Sequence, residues 1–232
     1  MLFLTVAVVS AALIIGAAWG LWGKLPKGLE GFMVAMAGGA LMVSVTIELI
    51  QPALQQTSLI ELSVAVAAGA LVFTGLDWWI EKQTEGSEGA GLLLAITLDG
   101  IPENLALGVA LIGAGVPEVA ALAGSILLSN LPEAAGGAKE MREGEMGRGR
   151  IMWLWTGTAL ILAAAAIIGN FALAGVDDEV LALIRGFAAG AVTASLATEV
   201  FPQAFREERY GTGVAVTLGL LIAFALSTLS GG

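Results

Sequence analysis

Apolar residues gather in eight runs, at about 2–22, 31–51, 61–80, 90–112, 118–138, 152–174, 180–204 and 212–230. Each run has close to the ~20 residues needed to cross a hydrocarbon core of roughly 30 Å. None alternates with period two, so a closed barrel is excluded. Helices are then the remaining way to satisfy a backbone in lipid. The pattern predicts an all-α polytopic membrane protein with eight transmembrane helices, residues 1–232 forming a single domain. The first run lacks a basic leading segment and a clear cleavage site, so it reads as a span rather than a signal peptide.

The polar breaks predict orientation. Lys24 and Lys27 follow span 1, Lys82 follows span 3, Lys139, Arg142, Arg148 and Arg150 follow span 5, and Arg206 and Arg209 follow span 7. Only Arg185 lies elsewhere, so nine of ten basic residues share one side. The positive-inside rule makes that side cytoplasmic and both termini extracytoplasmic. The longest break, 139–151, is rich in Gly and charge and is expected to be a mobile cytoplasmic loop.

Two internal similarities support this arrangement. GGALMVSVTIELIQPA around span 2 aligns with AAGAVTASLATEVFPQA around span 7, Ala40 on Ala191 and Glu48 on Glu199. DGIPENLALG in span 4 aligns with SNLPEAAGGA in span 5, Pro102 on Pro132. Within each pair the spans run in opposite directions. That gives inverted repeats, which mark transporters with a site near the midplane.

Composition sharpens the picture. The chain is 57% hydrophobic and 13% charged, with a mean hydropathy of +0.89; soluble domains carry about 25% charged residues. Cys and His are both absent, which excludes disulfides, thiolate sites and imidazole chemistry. Any metal site must use oxygen or thioether ligands, favouring hard or borderline divalent cations. The net charge of −10 and the lack of a basic patch argue against nucleic acid. Acids such as Glu81, Glu85, Glu88, Glu140, Glu143, Glu145, Asp177, Asp178 and Glu179 read as solvated charges between spans. No P-loop is present, so transport would run on gradients.

Six acids fall within or at the ends of spans 2 to 7: Glu48, Asp77, Asp99, Glu103, Glu133 and Glu199. Glu118 opens span 5 at the outer surface. Asp77, beside Trp78 and Trp79, reads as interfacial. Asp99, Glu103 and Glu133 lie deeper, where a carboxylate costs about 2.5–3.5 kcal/mol on insertion scales. They require one another, water, protons or a cation. Asp99 and Glu103 stand at i and i+4, on one helix face. Ser129 and Glu133 repeat that spacing, with Asn130 alongside. Each glutamate follows a proline that removes a backbone donor, so kinks are expected at Pro102 and Pro132. Oxygen ligands converging from two such helices predict a cation site, and several carboxylates favour a divalent ion.

These motifs resemble those of ZIP metal transporters. LAITLDGIPENLALG resembles the family's fourth-span His-Asn-x-Pro-Glu-Gly motif, LLSNLPEAAGGA its fifth-span Pro-Glu-Gly motif, and FAAGAVTASLATEVFPQA the end of its seventh span. ELIQPAL in span 2 is similar to the bacterial GufA-like branch. The resemblance covers all eight spans and implies a 3+2+3 inverted repeat that moves zinc, iron or manganese toward the cytoplasm across the cell membrane. It implies metal ligands at Asp99, Glu103, Asn130, Glu133, Glu199, Glu48 and Ser129, with Met42 near a family methionine. No cofactor is implied beyond the transported cation.

The chain departs from the family pattern where Asp99 and Gly100 replace histidine and asparagine and where Asn104 and Ala134 replace glycines. That makes the set harder than usual, shifting preference toward manganese, iron or magnesium, or leaving one ion instead of two. Passage of another solute or of protons, and a non-transporting sensor or partner protein, remain alternatives. An enzyme is not expected. Small-residue faces such as Gly186–Ala191 suit close helix packing and equally a homodimer seam.

Overall fold

The computed structural model describes residues 2–24, 26–84, 90–112 and 116–230. Glu85 and Glu88 lie outside the described residues, as do the side chains of Glu81, Asp99 and Glu118. Among the described residues the protein is all-helical, without strands. Helix α1 spans Leu2–Trp22. Helix α2 (Lys27–Ser44) continues through a π-helical turn, Val45–Ile50, into α3 (Gln51–Leu54). Helices α4 (Leu59–Thr84), α5 (Ala90–Ala110), α6 (Val116–Glu143) and α7 (Arg148–Leu173) follow. Helix α8 (Asp178–Ser195) continues through a second π-helical turn, Leu196–Val200, into α9 (Phe201–Glu207), and α10 (Thr212–Ser230) ends the fold.

Among the described residues, five helical stretches are long and apolar enough to cross a membrane: Leu2–Trp22, Gly28–Leu54, Leu59–Ile80, Arg148–Leu173 and Asp178–Glu207. Apolar side chains such as Phe3, Leu71 and Trp153 stand 64%, 75% and 78% exposed on their outer faces. Around helices in water that surface would be costly, whereas lipid accepts it. Lys82 Nζ sits 3.9 Å over the ring of Trp78 at the end of α4, the pairing of aromatic and cation that suits a membrane boundary.

The break expected at 139–151 is mostly helical. Helix α6 runs on to Glu143 and α7 begins at Arg148, leaving only 144–147 between them. Apolar character ends near Ala138, but Lys139, Glu140, Met141 and Arg142 are good helix formers, so hydropathy marks the membrane boundary and not the helix end. The helix stops at a left-handed residue, Glu145 (φ 64°). The amide of Met146 donates to the Met141 carbonyl at 3.1 Å and that of Glu145 to Arg142 at 3.1 Å, closing the last turn in a Schellman motif.

Helix directions follow from paired contacts. Phe3 meets Phe171 while Arg148 lies over Trp22, so α1 and α7 are antiparallel. Thr97 meets Thr158 at 3.5 Å and the Asn170 amide donates to the Gly108 carbonyl at 3.0 Å, so α5 and α7 are parallel. Helices α2 and α6 are antiparallel, joined by Ser44 with Ser125 at one end and Glu30 with Lys139 at the other. The core is built largely from small residues and from Leu41, Leu49, Leu107, Leu122 and Ile126. A second cluster joins α1, α6 and α7 around Leu13, Met141 and Trp155.

Close approach relies on glycine. A Cβ on Gly39 would strike the carbonyl of Val216 on α10, and one on Gly219 would strike that of Met36 on α2. Gly190 and Gly69 meet the carbonyls of Val66 and Phe187 in the same way, across α8 and α4. Gly39 and Gly190 are equivalent when Ala40 is aligned with Ala191, and so are Met36 and Phe187. The similarity of spans 2 and 7 therefore extends to how each packs on its neighbour.

Candidate functional site

Glu103 lies inside α5, 4% exposed. Beside it Asn104 is buried, its amide nitrogen donating to the Gly100 carbonyl at 2.9 Å. Asp99 lies on the same helix, four residues earlier. Helices α5 and α6 stay helical through Pro102 and Pro132, the residues at which kinks are expected.

On α6, Ser129 and Asn130 are buried and Glu133 is half-buried. The Ser129 hydroxyl donates to the Ile126 carbonyl at 3.0 Å, within its own helix. The Asn130 amide donates to the Val9 carbonyl of α1 at 3.3 Å. Both expected ligands thus spend a donor on backbone, and Asn130 fastens α1 to α6.

Glu48 and Glu199 occupy equivalent places in the two π-helical turns. Each turn starts after a buried serine, Ser44 or Ser195, and ends before a proline. The residue preceding the proline closes the wide turn: the Gln51 amide donates to the Thr46 carbonyl and the Phe201 amide to that of Leu196. Pro52 and Pro202 have no N–H, so the α-helical ladder loses a rung there. Thr46 and Thr198 donate their hydroxyls back to the Met42 and Ala194 carbonyls at 2.8 and 3.1 Å, which bends helices further. π-Bulges occur often at functional sites. The repeated prolines are visible in the sequence, but the widened turns are not, since they arise from main-chain bonding.

Ser44 also anchors its turn to α6, accepting a hydrogen bond from Ser125 Oγ at 3.1 Å. Spans 2, 4, 5 and 7, expected to share a site, are packed together. Leu41, Leu49, Leu107, Ile126, Val192 and Val200 join one core. Among the described residues, no three acidic side chains come close enough together to hold a metal ion. The side chain of Asp99 lies outside that description.

One acid lay just outside the spans read from the sequence. Glu30, on the first turn of α2, is 5% exposed and pairs with Lys139 Nζ of α6 at 3.7 Å. Gly136 makes the room, because a Cβ there would overlap the Glu30 carboxylate. A carboxylate so buried needs a partner. No spacing in the chain links positions this far apart.

Neither a protein-family model nor a curated protein matches this chain.

Proposed function

We propose that the chain is an eight-span cell-membrane transporter with a 3+2+3 inverted repeat and outward termini. Its cargo would be divalent metal cations such as zinc, iron or manganese, moved toward the cytoplasm. The observation that carries this reading is the pair of equivalent π-helical turns presenting Glu48 and Glu199. Two distortions of the same kind, at equivalent places in an internal repeat, suit a site at a repeat interface. Glu103 and Glu133, each after a proline in a helix that shares one apolar core with those turns, supply further oxygen donors. The ligand set is Asp99, Glu103, Ser129, Asn130, Glu133, Glu199 and Glu48. Charge on two or more carboxylates would be offset by a divalent ion at less cost than by a monovalent one.

The test is uptake of zinc, manganese, iron and magnesium into proteoliposomes. Glu103→Ala and Glu133→Ala each abolish uptake while expression and insertion stay normal. Unchanged uptake in both would refute the proposal.

A second reading is a protein of the same fold that conducts protons or another solute, or serves as a sensor. It is favoured by Asp99 and Gly100, which stand where the resembled family has histidine and asparagine. Flux or signalling indifferent to every divalent ion in the panel would select it.

A further inference from the structure

An open, apolar groove of about 520 Å³ runs between α2, the second π-helical turn, α9 and the start of α10. Met42, Ala197, Phe201, Phe205 and Val216 line it. Met42 and Phe205 are 46% and 52% exposed, so the groove opens outward and not into the bundle. Its volume lies within the roughly 300–1,000 Å³ of sites that hold small amphiphilic molecules.

The charges at its rim are sorted. Arg209 lies 5.9 Å over the ring of Phe205, which itself lines the groove, and both Arg206 and Arg209 are exposed. The neighbouring acids turn the other way, toward α2. A Cβ on Gly31 would touch Glu207 at 2.7 Å, and one on Gly28 would touch the Glu208 carboxylate at 2.9 Å. Glu208 Oε1 also accepts from the Gly211 amide at 3.0 Å. Two exposed cations therefore flank Phe205, Arg209 over its ring and Arg206 next to it in the chain, at the end of a membrane-length helix, with Tyr210 90% exposed beyond them. An aromatic ring and cations at that depth fit a headgroup zone.

We propose that this groove holds one acyl chain of an anionic phospholipid, from the leaflet on the side bearing the basic residues, with its phosphate held by Arg206 and Arg209. The proposal rests on the membrane reading of the chain and is independent of its cargo. The acyl chain lies against Ala197, within the π-helical turn that carries Glu199.

The experiment is native mass spectrometry of the detergent-purified full chain with phosphatidylglycerol or phosphatidylcholine. The native chain retains one phosphatidylglycerol in preference to phosphatidylcholine. Arg206→Gln and Arg209→Gln each lower that preference roughly fivefold, from about 1 kcal/mol per basic residue near an anionic headgroup. Ala197→Trp fills the slot and expels both lipids. An unaltered melting temperature in lipid-free detergent establishes that each variant is folded. Equal retention of the two lipids, or full preference in the double arginine variant, overturns the proposal. So does a dimer that Ala197→Trp dissociates, since the groove would then be a seam between copies. A chain that stays dispersed in water without detergent overturns the membrane reading itself, and the lipid site with it.

Discussion

Ser125 Oγ donates to Ser44 Oγ at 3.1 Å, tying α6 to the residue from which the first π-helical turn departs. Both side chains are buried. Ser195, the equivalent residue before the second turn, is equally buried. The bond is thus a fastening between one distorted turn and the helix that carries Glu133. Ser125→Ala removes it. Interhelical hydrogen bonds in membranes average about 0.6 kcal/mol, so the stability loss is expected to be that small in reversible unfolding from mixed micelles. If the proposed site spans α2 and α6, uptake falls several-fold more than stability does. A proportional loss of both would make Ser125 merely structural.

The glycine seams predict matched effects. Gly39→Ala and Gly190→Ala each drive a methyl into a backbone carbonyl of the neighbouring helix. Each is expected to cost about 1–3 kcal/mol through forced separation of the helices. Gly75→Ala, with no atom within 4 Å of the added carbon, serves as the clash-free control, expected to show only the gain of about 0.5–1 kcal/mol that alanine brings to a helix interior. Melting temperatures of the three variants in one detergent decide the matter.

Glu30 and Lys139 predict a coupling. Losing one partner of a well-buried ion pair costs about 3–5 kcal/mol, but Lys139 is 25% exposed at its side chain, so solvent screening reduces the figure. Lys139→Met is expected to cost about 1–2 kcal/mol, and less when Glu30 is already Gln. A double-mutant cycle with no coupling would mean that the charges are held apart by other partners. Gly136→Ala, which displaces the Glu30 carboxylate, reproduces the loss without changing any charge.

Glu145 predicts a gain. It holds the left-handed position that ends α6, a conformation costing an ordinary residue roughly 1–2 kcal/mol and glycine little. Glu145→Gly is expected to raise stability by up to about 1 kcal/mol in thermal unfolding, after glycine's own entropy cost is subtracted.

Topology can be tested cleanly, because the chain contains no cysteine. Single substitutions Gln56→Cys and Gly175→Cys are expected to react with an impermeant maleimide from outside the cell. Gly147→Cys and Tyr210→Cys react only after permeabilisation. All four positions are exposed, so reactivity reports sidedness. The same pattern at all four sites would refute the eight-span arrangement.

Much of the architecture was legible in the residues because membrane helices are locally determined. A run of apolar side chains must satisfy its own backbone bonds in lipid, so its length and place can be read one segment at a time. The runs at 2–22 and 61–80 fall within α1 and α4, and that at 152–174 ends one residue beyond α7. Asp99 and Glu103 share one helix, as their spacing requires. At 139–151 polarity reports where the apolar run ends, while helix propensity continues to Glu143.

The all-helical class and the acids that each apolar run carries can therefore be read segment by segment along the chain. The tertiary structure alone decided how those acids are held. The π-helical turns at Glu48 and Glu199 arise from main-chain bonds that skip one residue ahead of Pro52 and Pro202. Asn130 bonds to Val9, Ser44 to Ser125 and Glu30 to Lys139 because packing brings together segments far apart in the chain. Such contacts depend on which face of one helix meets another. No single segment encodes that choice, because between helices in lipid close backbone approach at residues such as Gly39 and Gly190, more than hydrophobicity, selects the partner.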